Sequence, residues 1–317
     1  MALTDKITIV EVGPRDGFQN EPNFIPTEHK IQIIDQLSET GLKRIETTSF
    51  VHPKAIPQLA DASEIMARIK RKPGVCYEVL IPNLKGMERA LKSGVQDVVL
   101  VVSASESHNQ NNMRMSVAES LSDFKQVVRM ARENGIRVTG SVATAFGCAF
   151  EGFVKHQKVA SIVAEYLSMG VHEITIADTT GMADPLAVKD LAQKTMVQLK
   201  GIPLRLHLHN TRGQGLANVF AAIQEGVTLF DASICGLGGC PFSPGATGNI
   251  STADLVNMLH CMGLQTDIDL ARLIECEKNT QIVIGHEVPS QVLRAGPTPW
   301  ALDVMKIESN EKEEVKK

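Results

Sequence analysis

The sequence predicts one closed (β/α)8 TIM barrel, in which eight parallel strands alternate with helices, and extra helices at its C-terminal end. Short apolar runs rich in β-branched residues alternate eight times with segments of helical periodicity. The chain has 317 residues, and such barrels run from about 200 to over 400 residues. An open doubly wound sheet is the alternative, but no Gly-x-Gly-x-x-Gly follows the first strand.

The strands and helices are predicted from periodicity and from residues that start or stop a helix. The predicted strands are residues 7–12, 44–48, 76–81, 97–102, 136–143, 173–177, 204–209 and 228–234. The predicted helices are 27–40 (with Thr27 as N-cap and Gly41 as stop), 61–70, 85–93, 117–134, 156–169, 185–199, 215–225 and 252–262. Residues 103–115 are predicted as a polar loop and 267–278 as an extra helix. We expect residues 1–285 to form the barrel and 286–317 a helical extension with a charged tail.

Composition narrows the classes of function. The net charge is −4, from 32 basic and 36 acidic residues, which argues against nucleic acid or an anionic membrane as a partner. We see no signal peptide and no apolar run of the roughly 18 residues that span a bilayer. The six cysteines are scattered without a Cys-x-x-Cys and are expected to be reduced thiols. We therefore expect a soluble, cytoplasmic protein, with a mitochondrial location only if a transit peptide has been removed.

Polar residues at the C-terminal strand ends indicate a site at one mouth of the barrel. His207 and His209 share one face of the seventh strand because side chains two residues apart point the same way. Alone, this pair is more often hydrogen-bonded than metal-bound. Barrel closure, however, makes strands seven, eight and one neighbours, so Asp16 and Asn249 can reach the same point. This mixed nitrogen and oxygen set favours a divalent ion of the Mg, Mn, Co and Zn group with open positions.

Each of the other candidate residues also has a structural interpretation. Arg15 and Asp16 could form a turn ion pair, and Glu46 could be a buried structural carboxylate. Asp178 could cap a loop or helix, and Cys240 could be an inert apolar residue. Their coincidence at strand ends favours the functional interpretation.

Several of these residues lie in stretches that resemble the 3-hydroxy-3-methylglutaryl-CoA lyase family. The resemblance covers residues 7–285. The similar stretches are residues 10–21 (Val-Glu-Val-Gly-Pro-Arg-Asp-Gly-Phe-Gln-Asn-Glu), 45–51 (Ile-Glu-Thr-Thr-Ser-Phe-Val), Pro53-Lys54, 82–86 (Pro-Asn-Leu-Lys-Gly), 236–241 (Gly-Leu-Gly-Gly-Cys-Pro) and 245–249 (Gly-Ala-Thr-Gly-Asn). Arg-Asp-Gly with His-x-His alone would indicate only the wider metal-dependent, aldolase-like barrel superfamily, which includes isopropylmalate and citramalate synthases.

The resemblance implies an activity and a role for each residue. The activity is retro-Claisen cleavage of 3-hydroxy-3-methylglutaryl-CoA to acetyl-CoA and acetoacetate, by a homodimer that uses a divalent metal, Mg or Mn before Co or Zn. The implied metal ligands are Asp16, His207, His209 and Asn249. Arg15 is implied to stabilise the enolate oxygen of the acyl-CoA substrate, Glu46 and Asp178 to be active-site carboxylates, Cys240 to transfer a proton, and Gln19 to bind substrate with Arg15.

Departures from the family pattern cluster near the acyl pocket. Thr139-Gly140-Ser141 stands where the family commonly has Arg-Gly-Tyr, and Arg212 stands where an aromatic residue is common. Ala149 and Ala253 replace the proline and glutamate usual at their positions. We therefore expect Ser141 and Arg212 to contact the acyl group. A related substrate, such as citramalyl-CoA or a longer-chain glutaryl-CoA, stays an alternative.

Two other functions are less favoured. A Claisen-type synthase generally carries an added regulatory domain, and we expect this chain to be too short for one. A catalytically silent barrel is disfavoured by the complete set of ligand candidates.

Overall fold

The computed structural model describes residues 6–239 and 248–302 as a closed barrel of eight parallel strands. The strands are β1 (Thr8–Glu11), β2 (Arg44–Ser49), β3 (Cys76–Leu80), β4 (Asp97–Ser103), β5 (Arg137–Ala143), β6 (Glu173–Asp178), β7 (Leu204–Leu208) and β8 (Leu229–Ala232). Strand β1 closes the sheet by pairing in parallel with β8 on one side and with β2 on the other. The predicted (β/α)8 fold is confirmed.

Eleven α-helices are present in the described residues, most of them on the outside of the barrel. They are α1 (Thr27–Ser38), α2 (Ala62–Arg68), α3 (Leu84–Lys92), α4 (Glu106–Met113), α5 (Val117–Glu133), α6 (His156–Met169), α7 (Pro185–Leu199), α8 (Gly215–Gln224), α9 (Thr252–Cys261), α10 (Leu270–Ile284) and α11 (Gln291–Ala295). None of them has both the length and the apolar character needed to cross a bilayer.

Side chains along each strand point alternately toward the surrounding helices and into the lumen of the barrel. In β7, Leu204, Leu206 and Leu208 belong to the large apolar cluster that also contains the helix side chains. Arg205 and His207 point the other way, into the lumen, where Arg205 contacts Glu78 of β3 and His207 contacts Asp231 of the neighbouring β8. The polar face of β7 is thus buried inside the barrel.

Gly140 shows how tightly the helix layer packs on β5. A Cβ at this position would lie 2.6 Å from the ring of Tyr166 on α6. The Tyr166 hydroxyl donates to the carbonyl of Leu100 at 2.9 Å, and its ring stacks on Phe124. Only glycine fits between this ring and the strand.

Three local predictions were wrong or incomplete. Residues 103–115, predicted as loop, contain α4, which Ser105 caps by accepting from the His108 amide at 3.1 Å. Thr27 is the first residue of α1 and not its N-cap; its hydroxyl donates to Asp61 at 2.9 Å. The loop after β5 contains an antiparallel pair, Gly147–Cys148 with Gly152–Phe153, that was not predicted.

The C-terminal helices pack on the barrel as expected. The extra helix α10 is longer than predicted and ends before Gly285, which adopts a left-handed conformation. It contacts α1 and α9, and α11 contacts α9 and α10. The division of the chain at residue 285 stays a prediction, and the predicted charged tail, residues 308–317, lies outside the described residues.

Candidate metal and catalytic site

The site begins at a π-helical turn, Gly13–Gly17, that follows β1 and carries Arg15 and Asp16. Such turns are rare and often occur at functional sites. The turn needs glycine at position 13, because a Cβ there would lie 2.6 Å from the side chain of Ile234. The buried Glu11 carboxylate accepts from the Gly13 and Ile234 amides at 2.7 Å each, and from the Thr252 hydroxyl at 2.6 Å. One carboxylate therefore joins the segments that follow β1 and β8.

Arg15 is held between two carboxylates. Its Nε and Nη2 donate to the two oxygens of Glu46 on β2, at 2.7 and 3.1 Å. Its Nη1 donates to Asp16 Oδ1 at 2.5 Å. Burial raises the pKa of Glu46 more than the Arg15 charge lowers it. This two-point contact fixes the guanidinium plane, and Arg15 is only 9 % exposed.

His207, His209 and Asp16 converge on one point. One ligand atom from each of the three buried residues lies within 4.8 Å of the others, and the two histidine Nε2 atoms are 3.0 Å apart. Burial and the neighbouring His207 lower the pKa of His209 to about 3, so His209 is neutral at pH 7, as a metal ligand must be. Its Nδ1 is buried and has no hydrogen-bond partner among the described residues.

Asn249 completes this arrangement from the segment after β8. Its Nδ2 donates to Asp16 Oδ2 at 2.7 Å and to the Leu237 carbonyl at 2.9 Å. Both amide hydrogens are then used, and Oδ1 is the atom that could bind a cation. Gly238 has a φ of +125°, and a Cβ there would lie 2.4 Å from Asn249 Nδ2. The close approach of this loop therefore requires glycine.

The charges around the site fit a divalent cation. The ionic side chains inside the barrel, all buried except the half-buried Arg44, form a lumen ion-pair cluster. It comprises Arg15, Arg44, Arg205, Asp16, Glu46, Glu78, Glu173 and Asp231. With every member ionised and the histidines neutral, its five carboxylates exceed its three guanidinium groups by two charges. Uncompensated buried charge is costly. A divalent ion among Asp16, His207 and His209 would neutralise the excess.

Of three other predicted site residues, Gln19 and Asp178 make defined hydrogen bonds, and Cys240 is not among the described residues. Gln19 donates to Asp16 Oδ1 at 3.1 Å. Asp178 accepts from the amides of Met182 and Ala183 at 2.8 and 3.1 Å, so it caps the loop after β6. Burial raises the pKa of Asp178 to about 6. Cys240 lies outside the described residues.

The two residues expected at the acyl pocket differ in their surroundings. Ser141 is buried on β5. Arg212 donates from Nη1 to the carbonyls of Thr180 and Gly181 at 2.9 and 2.8 Å. Arg212 therefore ties the loops after β6 and β7 together.

Sequence reasoning missed three buried residues that support the site. Glu11 holds the π-helical turn, while Asp231 and Arg205 lie below His207. Arg205 could have been found because it precedes His207 by two residues on a strand. Asp231 could have been found as a carboxylate inside the apolar eighth strand.

Comparisons with known proteins agree with this geometry. A family model described as HMGL-like matches residues 6–279. Human mitochondrial hydroxymethylglutaryl-CoA lyase is 43% identical over 293 residues, which cover 92% of this chain and 90% of that protein. The rat cytoplasmic 3-hydroxy-3-methylglutaryl-CoA lyase is 44% identical over 273 residues, which cover 86% of this chain and 80% of that protein. A solved HMG-CoA lyase from Acinetobacter baumannii, in complex with coenzyme A and 3-methylmalate, is 47% identical with a TM-score of 0.91, covering 94% of this chain and 98% of that one.

Proposed function

Because the chain belongs to the HMGL-like family, we propose that it cleaves 3-hydroxy-3-methylglutaryl-CoA to acetyl-CoA and acetoacetate. The protein is a lyase, as its relatives are. The observation that carries the proposal is the convergence of Asp16, His207 and His209 beside the fixed guanidinium of Arg15. Named lyases share 43 to 47% of their residues with the chain over most of its length.

The proposed reaction balances as a retro-Claisen cleavage. A base removes the proton of the 3-hydroxyl, and the electrons of the C2–C3 bond move into the thioester, which leaves as the acetyl-CoA enolate. The hydroxyl-bearing carbon becomes the ketone of acetoacetate. A divalent cation held by Asp16, His207, His209 and Asn249 would supply Lewis acidity at that hydroxyl.

Arg15 suits the enolate step. Its guanidinium stays charged at any working pH, and Glu46 holds its plane before charge develops on the thioester oxygen. Asp178, with a pKa of about 6, is ionised at neutral pH and could accept a proton. The enolate carbon then takes a proton, for which we propose the thiol of Cys240.

The finer assignments are also proposals. Mg²⁺ or Mn²⁺ is favoured over Co²⁺ or Zn²⁺ because two of the four proposed ligands are carboxylate and amide oxygens and none is a thiolate. Gln19, Ser141 and Arg212 are proposed to bind the acyl-CoA. A homodimer in the cytoplasm stays our expectation; the relatives carry both mitochondrial and cytoplasmic names. Neither nucleic acid nor a membrane is proposed as a partner.

A substrate panel tests this function. Purified protein with Mg²⁺ or Mn²⁺ is offered 3-hydroxy-3-methylglutaryl-CoA, citramalyl-CoA and a 3-hydroxyglutaryl-CoA whose 3-alkyl group is longer than methyl, and released acetyl-CoA is measured. We expect the highest kcat/KM with 3-hydroxy-3-methylglutaryl-CoA. A clear preference for another thioester would show that the proposed substrate is wrong. Condensation of acetyl-CoA with a 2-oxo acid would favour the Claisen-type synthase instead.

A further inference from the structure

Beneath the metal ligands, one buried carboxylate is shared between a histidine and an arginine. We propose that Asp231, held by Arg205, is a positioning residue that fixes the ring and the tautomer of His207 and thereby sets the affinity for the divalent cation. This inference rests on the proposed metal-dependent function. It gives a positioning role to Asp231 and Arg205, which are not themselves proposed metal ligands.

The geometry divides the two oxygens of Asp231 between two partners. Oδ2 lies 3.1 Å from His207 Nδ1, and Oδ1 lies 3.2 Å from Arg205 Nη1. Asp231 and His207 are paired neighbours on β8 and β7, and Arg205 precedes His207 by two residues on the same face. All three side chains are buried, so water does not compete for these contacts.

These contacts determine which nitrogen of His207 carries its proton. A carboxylate can only accept, so Nδ1 must donate to Asp231. In neutral His207, Nε2 is then the nitrogen with the lone pair, and it faces His209 and Asp16, as a ligand requires. His209 differs, because its Nδ1 has no hydrogen-bond partner among the described residues. His207 is therefore the anchored ligand of the pair.

The charge distribution indicates why Asp231 acts on the site. Arg205 also contacts Glu78 at 2.5 Å and Glu173 at 2.9 Å, and Arg44 contacts the same two glutamates at 2.8 and 2.6 Å. In this part of the cluster, three carboxylates face two guanidinium groups. Glu78 and Glu173 each contact both arginines, whereas Asp231 has one oxygen directed at His207.

The test compares two variants that each remove one negative charge from beside Arg205. Asp231→Asn changes the group that contacts His207, whereas Glu78→Gln does not touch either histidine. Mn²⁺ binding to the full-length apoprotein is measured by calorimetry, without substrate. We expect Asp231→Asn to weaken binding by about 10- to 100-fold, and Glu78→Gln to change it by less than about 3-fold. Equal losses, or no loss in Asp231→Asn, would overturn the proposal.

A second measurement on the wild type does not depend on whether a variant folds. Nitrogen NMR of ¹⁵N-histidine-labelled protein, loaded with diamagnetic Mg²⁺, should show His207 protonated at Nδ1 and unprotonated at Nε2. The opposite tautomer would overturn the proposal. Failure of the proposed function is distinguishable, because a protein that binds Mn²⁺ with this tautomer but does not cleave the thioester refutes only the lyase activity.

Discussion

Arg15 shows how one side chain is prepared for a reaction by its neighbours. Glu46 engages its Nε and Nη2, and Asp16 engages its Nη1. Two carboxylates around one guanidinium leave a net negative charge beside a histidine pair. The same contacts therefore orient the guanidinium for its proposed role at the enolate oxygen and favour a divalent ion beside it.

Replacing Arg15 by lysine tests whether the positive charge at this position is sufficient without the planar guanidinium group. Lysine keeps the positive charge but loses the planar fork that binds Glu46 at two points. We expect kcat to fall about 10²- to 10³-fold, the range seen when a preorganised oxyanion donor is lost, while Mn²⁺ affinity changes little. Steady-state kinetics and calorimetry check this. Activity within a few-fold of wild type would remove Arg15 from the enolate step.

Among single residues, the site residues with strong local signals were predictable. The supporting residues can be noticed as polar residues inside strands, but their contacts could not be predicted. His207 and His209 share a strand face that the sequence displays directly. Asp231 contacts a strand neighbour 24 positions away, and Glu11 contacts Ile234 223 positions away. Such contacts depend on strand register, which no local pattern reports.

Among the elements, the segments after β1 and β8 are joined by Glu11, and we expect the ionisation of this residue to make the stability of the fold depend on pH. Burial raises the pKa of Glu11 from 4.5 to about 7. Between these values the folded protein retains a proton that the unfolded chain releases, so the free energy of unfolding falls as pH rises through this window. The stabilising effect of protonated Glu11 is complete below about pH 4.5 and is lost above about pH 7.

The variant Glu11→Gln should remove this pH dependence. Glutamine keeps an acceptor for the Gly13 and Ile234 amides without a charge. We expect it to gain stability relative to wild type on going from pH 5 to pH 8, by up to about 3 kcal/mol for a shift of this size. Urea unfolding at both pH values measures the difference, with the exposed Glu88→Gln as control. A pH-independent difference would contradict the assignment.

The contact between β5 and α6 gives a stability prediction free of charge effects. In Gly140→Ala, the new methyl group would collide with the Tyr166 ring. We expect a loss of about 1 to 3 kcal/mol, typical of an overpacked core, measured by urea unfolding at constant m-value. A double variant with Tyr166→Leu should recover part of it; additive losses would show that the ring is not the obstacle.

Element positions were predictable wherever an apolar period was present. Every barrel strand lies within about two residues of its predicted bounds, because its buried face leaves a clear pattern. Helix α4 has no such pattern. Its sequence, Glu-Ser-His-Asn-Gln-Asn-Asn-Met, is almost wholly polar, and contacts such as the Ser105 cap and the Asn109 side chain secure it.

For the whole molecule, we expect metal binding to be coupled to stability, because the proposed ligands come together only in the folded barrel. An ion that binds only the folded barrel stabilises it by mass action, by about 2.7 kcal/mol at 100 times Kd. We expect Mn²⁺ to raise the Tm of the apoprotein and a chelator to reverse this. Asp16→Asn should largely abolish the effect, whereas the exposed Glu133→Gln should keep it. An unchanged wild-type Tm at saturating Mn²⁺ would contradict the coupling.

The closed topology was predictable because eight consecutive strand–helix units usually form a closed barrel. In such a barrel, strands seven, eight and one are neighbours. The charge balance of the lumen was not predictable. It depends on which polar residues of eight strands face inward at the same level, and one arginine contacts carboxylates from three different strands.

Barrel closure also determines when this site can form during synthesis of the chain. The hydrogen bond between Asn249 and Asp16 spans 233 positions of the chain. On the ribosome, β1 emerges first, and one of its edges stays unpaired until β8 follows. A nascent chain that stops before Asn249 contains both histidines and Asp16 but lacks the last residue of the proposed ligand set. Binding of a cation by the full proposed set therefore requires synthesis to pass residue 249, after all eight strands have been made.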